Sequence, residues 1–266
     1  MGVAPRHPPA DWNEVFRTDP DGPLWRRHSD AVNRRLVDQW LQGRRLARVL
    51  KTDLCDEAVA DGVAPALAAH ATEVHGVDVA ALTVAAASRR HPWLRVAEAD
   101  VRALPAEDGA YDAVLSLSTL DHLSGRGAVS DALAEIHRVL RPGGDLLLTF
   151  DNGGNPIVAV RNALPARFRA WTRLVPYPVF VALGSGELSE LVGRAGFEVL
   201  GTTASLHCPR VLAVRAAARA DRRGEAAADR LATRLLRWEA LEALPTRQVT
   251  GHFVVVRARK RRRASH

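Results

Sequence analysis

Short apolar runs alternate with amphipathic helical stretches from residue 46 to residue 151, and few folds accept that pattern. Runs at Leu46–Leu50, Val74–Val79, Leu94–Ala99, Tyr111–Ser116 and Asp145–Phe150 read as strands. Between them, Val63–His70, Ala80–Arg90 and Val129–Leu140 carry helical spacing. Pro65 suits a first helical turn, and Pro92 ends the second helix. Pro142, Gly143 and Gly144 read as a turn before the fifth strand, which is apolar enough to be central. Repeated strand–helix units predict an α/β protein with a doubly wound, mostly parallel sheet. Such sheets bind ligands beyond the carboxyl ends of their strands, where the strand order reverses.

The flanking segments are less regular. Met1 to about Pro23 reads as a loose start. Trp25–Leu41 reads as a helix with Val32, Leu36, Trp40 and Leu41 on one side, expected to cover a sheet edge or lid a pocket. Asn155–Phe180 holds Pro156, Pro165, Pro176 and Pro178 and reads as an insertion of short helices and loops, bounded at 156–183. A helix at Glu187–Ala195, with Ser185 as its cap and Gly196 as its stop, leads into a strand at Phe197–Ser205. Val211–Leu244 is helical with a break near Arg223 and Gly224, and His252–Arg259 makes a seventh strand. The expected division is an N-terminal helical cap (1–45), one domain (46–260) and a basic disordered tail (261–266).

At 47% hydrophobic, 266 residues supply one sizeable core, and no apolar run reaches the roughly 20 residues of a membrane span. The N-terminus has no apolar signal region, and Cys55 and Cys208 make no disulfide framework, so a cytoplasmic protein with reduced thiols is expected. Neither cysteine has a partner at zinc-ligand spacing, so no metal is expected. The formal charge of +7 comes largely from arginines near the C-terminus (Arg257, Arg259, Arg261, Arg262, Arg263) beside Lys260. No aromatic residues interleave with them, which disfavours a nucleic-acid partner.

The strand ends then line up. Strand two ends in Gly76, Val77 and Asp78; strand three leads into Asp100 and Val101; strand four runs into SLSTLDHL (Ser116–Leu123); RVLRPGG (Arg138–Gly144) precedes strand five. An acid at the end of strand two can accept hydrogen bonds from both hydroxyls of a ribose. In this order the motifs resemble the class I S-adenosylmethionine-dependent methyltransferases, chiefly the small-molecule enzymes, over roughly Val49–Asp151. The resemblance implies a Rossmann-like methyltransferase fold and S-adenosylmethionine as cofactor. It implies that Asp78, with Val79, holds the ribose, that Asp100 faces the adenine amino group, and that the Val101 N–H faces a ring nitrogen.

The first loop departs from the family pattern. It reads KTDLCDEAVADGV (Lys51–Val63), with no glycine before Gly62. Its acids Asp53, Asp56, Glu57 and Asp61 would repel a pyrophosphate and attract a sulfonium and an ammonium, which favours S-adenosylmethionine over a nicotinamide dinucleotide. The loop resembles a subset of the family that carries TDL-x-D/E-EA here and STLDH after strand four. That implies Asp53 for the methionine ammonium, with Thr52, Ser116, Ser118 and Thr119 beside the methionyl part. His122, with Asp121, is the candidate general base; otherwise Asp121 caps and His122 packs.

The resemblance further implies methyl transfer to a small-molecule acceptor by direct displacement at the sulfonium. Asp151, Asn152, Asn155, Arg161 and Asn162 after strand five, and His207 after strand six, are candidates near the acceptor. Trp171, Tyr177 and Phe180 either line its pocket or pack the insertion. A non-catalytic binding protein, a nucleic-acid methyltransferase and a nicotinamide oxidoreductase remain alternatives, and the oligomeric state is left open.

Overall fold

The computed structural model describes residues 11–18, 22–164 and 179–262. Two helices come first, α1 (Trp12–Thr18) and α2 (Pro23–Leu41). Then follow β1 (Leu46–Lys51), α3 (Cys55–Val59), α4 (Ala64–His70), β2 (Ala71–Asp78), α5 (Ala81–Arg90), β3 (Arg95–Glu98) and β4 (Tyr111–Leu117). A 3₁₀ turn at Leu120–His122 leads to α6 (Arg126–Val139), β5 (Leu140–Asp151) and α7 (Pro156–Ala163). The chain continues through α8 (Ser185–Arg194), β6 (Phe197–Ser205), α9 (Arg210–Asp221) and α10 (Glu225–Leu236). A 3₁₀ stretch (Arg237–Ala243), α11 (Arg247–Thr250) and β7 (Phe253–Lys260) complete it.

The seven strands form one sheet in the order β3-β2-β1-β4-β5-β7-β6. The first five are parallel; β7 is antiparallel to both β5 and β6. The order reverses between β1 and β4, so the switch point lies where those two strands end. Buried apolar residues cover both faces. Leu133 and Ile136 of α6 with Leu188 and Val192 of α8 fill one side. Val37 and Leu41 of α2 with Leu67 and Ala87 fill the other. A third cluster joins Leu24, Trp25 and Val32 of α2 to Ala213 and Ala217 of α9 and Ala228 of α10.

Several expectations need correction. The start is not all loose, because Trp12–Thr18 is helical. Pro142–Gly144 is no separate turn. It lies within β5 as a bulge: Tyr111 pairs with Leu140 and Ala113 already pairs with Asp145, and Gly143 takes φ +78 to absorb the extra length. Ser185 is the first residue of α8 rather than its cap; the helix start is closed instead by the Glu187 carboxylate, which accepts the Gly184 N–H. Of the expected insertion, α7 and residues 179–183 are described, whereas Trp171 and Tyr177 lie outside the described residues, as does Arg263. No helix among the described residues is long and apolar enough to cross a membrane.

The side chains after β5 close the fold. Asn152 Nδ2 donates to the Gln248 and Gly251 carbonyls, and Asn155 Nδ2 donates to those of Thr250 and Gly251. Gly251 thereby anchors the turn into β7, and it sits against β6: a Cβ there would lie 2.5 Å from Ala204 Cβ and 3.1 Å from Ser205 N. Gly251→Val should therefore destabilise the protein by about 1–3 kcal/mol, read as a lower midpoint of urea unfolding with an unchanged slope.

Candidate cofactor and acceptor cavity

A cavity of about 460 Å³ opens over the carboxyl ends of the parallel strands. Its wall takes Thr52 and Asp53 after β1, Asp78 and Val79 after β2, Asp100 and Val101 after β3, and Ser118, Thr119 and His122 after β4. Thr149, Phe180, Leu206, Arg210 and Phe253 extend it across the rest of the sheet. Trp12, Val15 and Phe16 of α1 and Trp25, Arg26, Ser29 and Asn33 of α2 roof it. Helix α2 thus both packs the sheet and lids the pocket.

The first loop owes its shape to a cation below it. Lys51 is 2% exposed, and its Nζ donates to the Asp53 carbonyl and Asp53 Oδ1, each at 2.8 Å, and lies 2.8 Å from Glu57 Oε2. Burial pulls the Lys51 ammonium toward neutrality, but Asp53, Glu57 and Asp56 outweigh it and raise its pKa above the ordinary value. Above that ion cluster, Asp53 Oδ2 accepts the Thr119 hydroxyl at 3.2 Å. The Thr52 hydroxyl donates to Ser116 Oγ at 3.0 Å. Asp78 grips the loop from the side: its Oδ2 accepts the Leu54 N–H at 2.9 Å and its Oδ1 accepts the Ala80 N–H at 2.8 Å. Burial raises the Asp78 pKa in spite of these two N–H donors.

The acids are therefore not equivalent. Asp53, Asp56, Asp78 and Asp100 line the cavity. Glu57 is buried beneath it, where Oε1 accepts the Val63 N–H, and Asp61 is exposed beside Arg34. Neither reaches the cavity. The lining carboxylates also meet cations: Arg26 pairs with Asp56 at 3.1 Å, and the Arg102 guanidinium grips Asp100 and draws its pKa down.

After β4, Ser118 takes φ +51, a left-handed conformation unusual for serine, and its hydroxyl donates to Asp121 Oδ2 at 2.9 Å. Leu206, after β6, takes φ +55. These are the two non-glycine residues with positive φ among the described residues, and both line the cavity. His122 faces the cavity with its ring 5.0 Å from that of Trp12. Asp121 and Ser116 are fully buried behind the wall instead. Burial pushes the Asp121 carboxyl up to about 6.

The candidates after β5 do not reach the cavity. Arg161 pairs with Asp151 in the interior, Asn152 and Asn155 tie down the turn before β7, and Arg161 Nε donates to Asn162. Their side chains point into protein because backbone carbonyls and a buried carboxylate there need partners. His207 is held by Thr250 Oγ1 (2.8 Å) and the Ala204 carbonyl (3.1 Å), a structural role. Cys55 and Cys208 are free, and burial pushes both thiols up to about 12. Sequence reasoning missed Trp12, Phe16 and Arg210 on the wall, and it expected the helix that carries Trp25 and Arg26 to cover a sheet edge or lid a pocket without singling out those two residues. The aromatic residues near the N-terminus were its one available signal.

The methyltransferase domain family matches residues 57–148. Over those residues the chain is similar to methyltransferase domains. A Mycolicibacterium smegmatis protein named a probable S-adenosylmethionine-dependent methyltransferase is 28% identical over 184 residues, 69% of this chain and 63% of that protein. The chain spans less than two thirds of the length of the curated relatives it matches. The fold is shared with the (4+2) cyclase SpnF (TM-score 0.58, 24% identity, 91% of this chain and 84% of that one). It is shared too with a Thermotoga maritima S-adenosylmethionine-dependent methyltransferase (TM-score 0.61, 17% identity, 95% of this chain and 100% of that one). The family match begins inside the first loop, after Lys51 and Asp53.

Two outcomes follow from the charges around that loop. Lys51→Met should cost about 3–5 kcal/mol by leaving Glu57 buried without its cation. Adding Glu57→Gln, which still accepts the Val63 N–H, should recover more than half of the loss in urea unfolding. Asp30 of α2 is 3% exposed. Burial, Asp56 and Glu57 push its pKa up from 3.8 to about 7, against the pull of Arg34 and Lys51. Between those two pH values the folded state holds a proton that the unfolded state has lost, so this group costs stability as pH rises. Asp30→Asn should therefore match the parent near pH 4 and exceed it at pH 8, by on the order of 2 kcal/mol, in thermal unfolding across that range.

Proposed function

We propose that the cavity binds S-adenosylmethionine across β3, β2, β1 and β4, and that the protein transfers its methyl group to a small-molecule acceptor by direct displacement. The observation that carries this reading is Asp78. Its carboxylate is fixed by two backbone N–H groups at the end of β2 and lines the cavity with lone pairs still available. Two ribose hydroxyls are suitable donors to it. Asp100 and Val101 would face the adenine, with Arg102 holding the carboxylate in place. Asp53 would receive the ammonium, Lys51 and Thr119 fixing its position.

When bound, the sulfonium supplies an electrophilic methyl whose leaving group is a neutral thioether. The protein then needs only to align the acceptor and exclude water. Trp12, Phe16 and Trp25 supply the roof for that purpose. The ring of His122, on the cavity wall, would accept the acceptor's proton, with Asp121 and Ser118 steadying the turn that presents it.

The position of the basic C-terminal run supports a small acceptor over a nucleic acid. β7 begins at the cavity edge with Phe253 and runs away from it. Lys260 is spent on the His137 and Leu140 carbonyls, and Arg259 on Asp145, at the opposite edge of the sheet.

Calorimetry with S-adenosylmethionine, S-adenosylhomocysteine and NAD tests the reading. Both sulfur ligands should bind and NAD should not. Asp78→Asn, which keeps one acceptor for the loop, should weaken both by about tenfold or more. Binding by Asp78→Asn equal to that of the parent would remove the ribose assignment.

A further inference from the structure

Charge is sorted across the helical excursion between β6 and β7. Residues 210–250 hold nine arginines and five acids. Four of those acids turn toward the body of the protein. Asp221 accepts the Leu24 N–H, and Asp229 pairs with Arg27 of α2 at 2.9 Å. Glu239 accepts the Leu206 and His207 N–H groups, and Glu242 accepts the Thr203 hydroxyl. The arginines turn the other way. Arg215, Arg219 and Arg222 recur at i, i+4 and i+7 along α9 and its end, and Arg230, Arg234 and Arg237 do the same along α10. All six are exposed. Both rows face outward for one reason. Ala213 and Ala217 of α9 and Ala228 and Leu235 of α10 pack with Leu24, Trp25 and Val32 of α2. A residue two positions further along a helix lies about 200° around it, on the opposite side. Large apolar side chains stand among the arginines: Leu212 is 66% exposed, Trp238 43% and Leu236 40%. Leu212 precedes Arg215 by three residues and Trp238 follows Arg234 by four, so each shares a row with them.

We propose that the outer face of α9 and α10 is a docking surface for an anionic phospholipid bilayer. The arginines meet the headgroup phosphates, and Leu212, Leu236 and Trp238 enter the boundary between headgroups and acyl chains. The aliphatic side chains decide between a bilayer and a nucleic acid. A phosphate backbone offers Leu212 and Leu236 nothing apolar to enter, whereas a bilayer does, and its interface also favours tryptophan. The backs of two neighbouring helices are convex, a shape that meets a plane better than it holds a peptide. α9 starts at the cavity wall with Arg210 and is about 18 Å long, so docking holds the cavity within one helix length of the lipid. This docking does not depend on methyl transfer, and its test reads binding alone.

Co-sedimentation with vesicles is the experiment. The probes are vesicles of phosphatidylcholine alone, vesicles of phosphatidylcholine with an equal part of phosphatidylglycerol, and a DNA duplex of random sequence. The wild type should bind the mixed vesicles at least about tenfold more tightly than the neutral ones, and sodium chloride should weaken that binding. Arg230→Gln, Arg234→Gln and Arg237→Gln together should cost at least about tenfold. Lysine at the same three positions should keep most of the affinity, because a charged surface needs the cation more than the guanidinium fork. Leu212→Ser with Trp238→Ser should weaken vesicle binding at unchanged net charge. Thermal unfolding midpoints show that each variant is folded, and the comparison of the two vesicles needs no variant. Failure to bind the mixed vesicles, equal binding of the two vesicles, or vesicle binding that survives loss of the three arginines would each overturn the proposal. Tighter binding to the DNA duplex than to the mixed vesicles would overturn it too, in favour of a nucleic-acid face.

Discussion

A single buried ammonium underlies the site. Most ligand loops at the end of a first strand come close to their ligand because glycine removes the Cβ that would obstruct it. Here no glycine precedes Gly62, and Lys51 does the shaping instead. It draws Asp53 and Glu57 inward from two directions, so the backbone between them has little freedom. The arrangement is asymmetric in cost. The cluster gains little over an apolar one, but removing one partner strands a charge in the interior.

That cluster also connects the roof to the floor. Arg26 of α2 reaches Asp56 of the loop, and Arg34 Nε donates to the Gly62 carbonyl that closes it. Trp25, one residue before Arg26, faces the cavity and carries Arg210 on its ring. The lid, the acidic loop and the far wall are therefore joined through neighbouring side chains of one helix.

The sheet was legible in the sequence because its central strands β4 and β5 are buried along most of their length and read as largely apolar runs. β6 falls where the pattern puts it, and the parallel strands differ only at their ends. What the pattern could not convey was the direction of side chains once the strand period lapses. Ser116 and Ser118 are two residues apart, yet one is sealed under Thr52 and the other faces the cavity, because φ turns positive between them and the next helix. Polar residues after β5 looked like a ligand edge and serve as internal braces, since a turn without regular structure must satisfy its carbonyls somehow. α1 was missed for another reason: seven residues give too few periods for an amphipathic signal.

The antiparallel β7 lies between β5 and β6, not at a margin. On a ribosome, β6 emerges long before the strand that must separate it from β5. Until then its hydrogen-bonding edge has no partner in the sheet, and the apolar side of α8 waits with it. A nascent chain of this design spends an interval with a half-finished sheet, so slowed translation ahead of Phe253 would prolong exposure to aggregation and to chaperones that shield open strands.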